Sequence, residues 1–551
     1  MAVVKKQLGT TAFLIAAASA AFLLSSREAR PQTGSCLVAT ANGAVQGVDN
    51  GSSCAFFGIP FAAPPLGSLR WKPPQPAAPW APATLNAMAA PGPCANVSPP
   101  GSTSTGGSEN CLKLNIWAPD PAPALPAPVI VWIPTGAFQS ASASIPDSNG
   151  RNFAERTGAI VVAANYRLGP FGFLGHPALT AEDPAHLSSG NYGFLDQRAA
   201  LAWVRDNIAA FGGDPNNVTI DGQSAGGHSV SLHVVSPGSA GYFGRAIIQS
   251  GYASTRWRTL ADAEALGANF AAAMGCTDPS TVLACLRGKT TSQVLLAFGN
   301  GQQEFAQTAR VQWGPIVDGL DIPDQPRTLY EIGAFNQMPT IIGATRDEGW
   351  IYADRSFPAG LTTEQYETTV EAEFGAADAP AILAKYPATD FASPKLALSR
   401  LIGDVEGVCE ARRVARLIER TKTPVYLYSF EREVDAVVPD LVIHGLDRNF
   451  VFGNNYAPPT PYVLNADDLA LFGAISGYWT RFAASGNPNS DDTAVVHWPA
   501  YKHPNGRGRG ADQYIVLDWP VREDKRLREA HCDFWEPFFL RSIAGGSVPA
   551  S

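Results

Sequence analysis

Gly222-Gln223-Ser224-Ala225-Gly226 is a G-x-S-x-G run between an apolar segment, Asn217–Asp221 (NVTID), and a helical stretch starting near Gly227. A serine on a sharp strand-to-helix turn exposes its hydroxyl, and the flanking glycines are needed because bulkier neighbours would collide there. The hydroxyl then lies near a helix N-terminus, whose free amides favour negative charge. The five-residue pattern alone occurs by chance in many proteins; its place between strand and helix gives it weight. An alkyl hydroxyl is a poor nucleophile at neutral pH, so a base must take its proton and a carboxylate must hold that base. Two acids, Asp347 and Glu348, follow the short apolar run Thr340–Gly343 (TIIG), at the C-terminal end of a strand. Of the eight histidines, His233, His444, His497, His503 and His531 lie beyond the first turn of the elbow helix.

Positioning such groups requires a rigid frame. Val129–Ile133 (VIVWI), Ala159–Ala164 (AIVVAA), Ala246–Gln249 (AIIQ) and Val425–Phe430 (VYLYSF) join NVTID and TIIG as continuous apolar runs. Runs without polar alternation suit strands buried on both faces, as in a parallel sheet. Between them Gly193–Phe211 is strongly helical, with Leu195, Ala199, Trp203 and Ile208 near one face. Strands alternating with helices predict an α/β fold around a large, mostly parallel central sheet flanked by helices. The Pro-rich stretches 73–82 and 118–128 are too short to separate domains. No internal repeat is present, and one domain over residues 31–545 is the economical reading.

A longer ordered series surrounds the serine: Gly190-Asn-Tyr-Gly-Phe-Leu-Asp-Gln-Arg, Ala200-Leu-Ala-Trp-Val-Arg-Asp-Asn-Ile, Phe211-Gly-Gly-Asp-Pro and Ser224-Ala-Gly-Gly. This series resembles the type-B carboxylesterases, α/β-hydrolases that include cholinesterases and some fungal lipases. The likeness runs from about Val38 to Phe534-Trp535 and implies the α/β-hydrolase fold. In that family the nucleophile, acid and base follow in the order Ser, Glu, His. The glutamate before the glycine in Asp347-Glu348-Gly349 matches the family's acid, with Asp347 as competitor, and His444-Gly445-Leu446-Asp447 matches its His-Gly-x-Glu segment. Ser224, Glu348 and His444 are thereby expected as nucleophile, acid and base. Backbone amides that stabilise the tetrahedral oxyanion, each typically worth about 3–4 kcal/mol of barrier, are expected from Ala225 and from Gly136 and Ala137. The family usually carries three glycines before the phenylalanine of that loop; here it reads Pro134-Thr135-Gly136-Ala137-Phe138. The two departures should stiffen the loop and narrow the acyl side against bulky tertiary-alcohol esters. Thr135, Phe138 and Gln223 are expected to line the substrate pocket.

Eight cysteines fit an oxidising compartment, and spacing alone does not choose among their pairings. The family resemblance implies Cys94 with Cys111, Cys276 with Cys285 and Cys409 with Cys532. It leaves Cys36 and Cys54, which would staple the N-terminal strands if paired and would otherwise be free thiols. Lys5 and Lys6 precede an Ala-rich apolar stretch from about Leu8 to Leu24, the layout of a secretory signal. The stretch is shorter than the ~20 apolar residues a spanning helix needs. Residues 1–30 therefore read as a signal peptide, cut after Ala20, Ser25 or Arg30, rather than as an anchor, and the protein as secreted, with no stable membrane anchor. Asn50, Asn96 and Asn217 head glycosylation sequons. A net charge of −9 without a basic run argues against nucleic-acid binding.

The substrate is read from what the first cysteine loop lacks. Residues 95–110 (ANVSPPGSTSTGGSEN) form no amphipathic lid for an oil surface and offer no aromatic face for a quaternary ammonium group. Gln223 stands where the family commonly has glutamate. A small soluble ester is favoured over lipid esters and choline esters, and Arg256 and Arg258 would permit an anionic acyl group. A lipase, or a non-catalytic adhesion protein of the same fold, is the alternative; the adhesion class typically lacks the serine. No H-E-x-x-H or similar ligand set occurs, and acyl-enzyme chemistry calls for no metal or cofactor.

Overall fold

The computed structural model describes residues 36–97, 103–251, 253, 255–298, 312–456, 461–503 and 512–543. The expected signal peptide and its cleavage points lie outside the described residues.

Eleven strands form the main sheet. In chain order they are β1 (Val48–Asp49), β2 (Ser53–Pro60), β3 (Lys113–Pro119), β4 (Ala127–Ile133), β5 (Ile160–Ala164), β6 (Gly213–Gln223), β7 (Arg245–Gln249), β8 (Thr340–Thr345), β9 (Val425–Phe430), β10 (Gln513–Leu517) and β11 (Arg522–Lys525). Their spatial order is β11-β10-β9-β8-β7-β6-β4-β5-β3-β2-β1. All pairs from β5 to β10 are parallel. The pairs β5–β3, β3–β2, β2–β1 and β10–β11 are antiparallel. The mostly parallel sheet of the α/β-hydrolase fold is thus present.

The apolar runs are strands because both their faces are covered. Along β4, Val129, Val131 and Ile133 enter one buried cluster, while Ile130 and Trp132 enter the opposite one. The same alternation carries Ile160 and Val162 to one face and Val161 and Ala163 to the other, the period-two consequence of a pleated strand. A third cluster joins Tyr366, Phe374, Leu398, Leu401 and Trp535 around Cys409 and Cys532. Helix Tyr192–Asn207 tightens into a 3-10 turn over Ile208–Phe211, which Gly212 ends at φ +90°.

The chain runs from β4 outward to β5, then returns across to β6 on the other side of β4. A crevice opens at the carboxyl ends of strands where the winding direction reverses in this way, and ligands bind there in open α/β sheets. The loop 134–138 leaves the end of β4, and Ser224 leaves the end of β6.

Candidate active site

Ser224 sits at φ +57° and ψ −123°, between β6 and the helix Ala225–Val235. No continuation of either strand or helix has these angles, so the backbone turns within one residue. The glycines make the turn possible. A Cβ on Gly222 would lie 2.5 Å from the Gly226 carbonyl carbon, and one on Gly226 would lie 2.0 Å from the Ile133 oxygen. The second contact presses the elbow against the end of β4 and brings the loop 134–138 beside the serine. The N–H of Ala225 opens the helix and belongs to the amides that a helix leaves without an internal carbonyl partner.

The loop itself is strained. Gly136 has φ +125°, and a Cβ there would lie 2.9 Å from the Ala141 nitrogen. Ala137 and Phe138 adopt φ +53° and +60°, a left-handed conformation that costs a non-glycine residue about 1–2 kcal/mol. The surroundings hold it. Phe138 packs edge-on against Phe173 and Trp257 at 5.4 and 5.7 Å, and its carbonyl accepts from Gly169 N–H at 2.8 Å. Tyr166 donates to the Pro134 carbonyl at 3.1 Å.

Beyond β8 the two acids part. Asp347 pairs with Arg346 at 2.8 Å and Arg400 at 3.6 Å, and accepts from the Val442 N–H at 3.0 Å. Glu348, 1% exposed, bonds His444 Nδ1 through Oε2. Its Oε1 accepts from the Thr345 N–H at 2.7 Å and from the Ser250 hydroxyl. Gly349 is required beside it, since a Cβ there would lie 2.1 Å from the Ser399 oxygen. His444 Nε2 faces the side-chain amide of Gln223 at 3.3 Å. Contact with the residue directly before Ser224 places the imidazole at the elbow. Tyr352, one turn past Glu348, covers the imidazole with ring centroids 5.8 Å apart.

Thr135 and Gln223 meet here. The Thr135 hydroxyl donates to Gln223 Oε1 at 3.1 Å, and Gln223 is 1% exposed. His228, on the elbow helix, donates from Nδ1 to the Ser224 carbonyl at 2.9 Å, and its Nε2 meets Thr255 Oγ1 at 3.1 Å. Burial pulls the His228 pKa down to about 4, so it stays neutral near pH 7. Two further acids, Asp221 and Asp447, are buried near Glu348 and His444. Burial pushes Asp221 up to about 7, although it accepts from Gln249 at 2.7 Å and Trp479 at 3.2 Å. Burial, with the nearby Glu348 charge, pushes Asp447 up to about 6. Arg256 is exposed, and Arg258 is partly buried, donating to the Gln312 carbonyl at 3.1 Å.

Sequence motifs named Ser224, Glu348, His444, Gly136, Ala137, Ala225, Thr135, Phe138 and Gln223, and all belong to this end of the sheet. Ser250, His228 and Tyr352 carry no motif and were missed; the one available signal was that Ser250 closes the strand run AIIQ. The disulfides are Cys36–Cys54, Cys94–Cys111, Cys276–Cys285 and Cys409–Cys532. Among the described residues, the acidic group Glu433, Asp435 and Asp440 is exposed, and Glu433 is already paired with Arg346 at 2.7 Å.

A parallel sheet with a serine elbow at its winding reversal defines an α/β-hydrolase. Within that class the carboxylesterase family model matches residues 34–535, and the chain belongs to that family as a carboxylic-ester hydrolase. It is 33% identical over 551 residues to the acetylcholinesterase of Bungarus fasciatus, covering 93% of this chain and 88% of the relative. It is 35% identical over 471 residues to the fumonisin B1 esterase of Sphingopyxis macrogoltabida, covering 84% of each.

Proposed function

We propose that the protein is a secreted serine esterase of soluble esters, with Ser224 as nucleophile, His444 as general base and Glu348 as the acid that orients it. The observation that carries this reading is the Glu348–His444 bond ending at the nucleophile elbow. A carboxylate on Nδ1 fixes the proton there and leaves Nε2 as the acceptor in the neutral ring. Ser224 Oγ attacks the acyl carbon while its proton passes to Nε2. The N–H groups of Gly136, Ala137 and Ala225 receive the developing oxyanion. The ester C–O bond then breaks, and Nε2 returns the proton to the leaving alkoxide. Water repeats the sequence on the acyl-enzyme and frees the carboxylic acid, with no cofactor in either half. Residues 31–545 work as one unit in this reading.

Four disulfides support secretion. A neutral Gln223 and a first cysteine loop without an aromatic residue weigh against choline esters. The relative named for fumonisin B1 is therefore the better guide to substrate than the one named for acetylcholine. The test is hydrolysis of p-nitrophenyl acetate, butyrate and palmitate, acetylthiocholine and fumonisin B1 by wild type and Ser224→Ala, with organophosphate titration. Short-chain turnover lost in the variant, and one equivalent of inhibitor bound, supports the reading. A folded protein that neither turns over nor is labelled overturns it.

A further inference from the structure

Two of the departures from the family pattern, Thr135 and Gln223, lie 88 residues apart in sequence and are bonded to each other. Their orientation follows from the imidazole. Glu348 at Nδ1 demands a proton there, so Nε2 of the neutral ring is an acceptor. The group facing Nε2 at 3.3 Å must then be the amide nitrogen of Gln223. This turns Oε1 toward Thr135, whose hydroxyl is the donor at 3.1 Å. The opposite amide orientation would set two acceptors against each other at the imidazole. Thr135 thus supplies the donor that this amide orientation needs, and Gln223 has almost no exposure through which water could substitute.

We propose that the Thr135–Gln223 pair is a positioning device for the general base, holding the His444 ring with Nε2 at the elbow beside Ser224. The inference rests on the assignment of His444 as base. The donated N–H favours the neutral imidazole in the resting site, and it must leave the Nε2 lone pair as that lone pair takes the serine proton. The Thr135 hydroxyl can both donate and accept, so when Nε2 carries the serine proton the amide is able to turn over, presenting Oε1 to N–H and NH2 to Thr135. No bond to carbon is made or broken in this movement, and no proton leaves the site. The other titratable groups around the imidazole are Glu348 at Nδ1, Asp447 and Arg448 on the following turns, His228 across the elbow and the Tyr352 phenol above the ring. They are common to wild type and every variant below.

The test is the pH profile of kcat/KM on a p-nitrophenyl ester for Gln223→Glu, Thr135→Val and Thr135→Ser. Glutamate replaces a donor with a charge that favours imidazolium, and the acidic limb should move to higher pH by about one unit. Thr135→Val keeps the shape but removes the donor that holds Oε1 away from the imidazole in the resting site. The limb should rise by about half a unit, the scale of one hydrogen bond, with KM little changed. Thr135→Ser should retain the wild-type profile. Thermal unfolding and organophosphate titration verify that each variant is folded and carries one reactive serine. Wild-type profiles in both Gln223→Glu and Thr135→Val, with the serine fully labelled, overturn the device while leaving the esterase reading intact. Failure of wild type itself to be labelled overturns both.

Discussion

Ser250 donates its hydroxyl to Oε1 of Glu348, on the carboxylate whose other oxygen holds His444. Together with the Thr345 N–H it fixes the plane of the carboxylate, and through it the plane of the imidazole. Ser250→Ala removes one donor to Oε1 of a buried anion without touching substrate. The kcat on p-nitrophenyl acetate should fall about tenfold, equivalent to ~1.4 kcal/mol, with KM unchanged. A variant with wild-type kcat would mean that the Ser250 hydroxyl is not needed to hold the carboxylate.

Asp221 links the site to stability. Its folded pKa, raised by burial to about 7, lies above the ordinary 3.8 of an unfolded aspartate. Between about pH 4 and pH 7 the folded chain therefore holds a proton that the unfolded chain has released. Stability from this group is present at low pH and is lost as pH rises through that window. Asp221→Asn cannot titrate, and it leaves one of the donors Gln249 and Trp479 without an acceptor. The variant should be less stable than wild type at pH 5, and the gap should narrow by pH 8. Urea unfolding of both proteins at the two pH values measures it; a gap that widens with pH rules the account out.

The Cys409–Cys532 bridge spans 123 residues and ties the helix Cys409–Arg420 to the helix Glu529–Ile543 inside the third buried cluster. A loop of that size confers the largest stabilisation of the four if chain entropy dominates, about 4–5 kcal/mol. The paired change Cys409→Ala with Cys532→Ala should lower stability by that order and Cys276→Ala with Cys285→Ala, with its separation of 9, by less. Chemical denaturation under non-reducing conditions ranks them.

Ala137 and Phe138 hold the loop in a left-handed path, and Thr135 is bonded across to Gln223. A loop so braced has little room to retreat from a branched alcohol. Wild type should hydrolyse tert-butyl acetate at least about a hundredfold more slowly than ethyl acetate, a barrier difference near 2.7 kcal/mol. Equal rates on the two esters would disprove the restriction.

Much of this arrangement was legible in the sequence because strong local constraints wrote it there. VYLYSF is the whole of β9, and VIVWI and AIIQ lie within one or two residues of their strands, since strands buried on both faces are predominantly apolar. NVTID underestimates β6, which runs from Gly213 to Gln223 and includes a shift in pairing between Gly213 and Val218. Its early part mixes Asp, Pro and Asn, which carry no strand signal. The elbow helix begins at Ala225, two residues before the expected start, because Ser224 makes the entire turn by itself. The choice between Asp347 and Glu348 needed the family pattern; of the partners that draw Asp347 aside, Arg346 is adjacent but Arg400 and the Val442 N–H are distant in sequence. The Thr135–Gln223 bond could not be read at all. Each residue looked like an isolated departure, and only the return of the chain across β4 sets them side by side.

The two ends of the sheet bear on how copies of the chain behave when crowded together. At one end β11 is four charged residues, Arg522–Lys525, all exposed; at the other β1 has two residues. Neither offers the long, flat, apolar border along which a neighbour's strand could add itself. Concentrated solutions should resist fibrillar growth from the native fold, and self-association of intact molecules is left to their helical faces and loops.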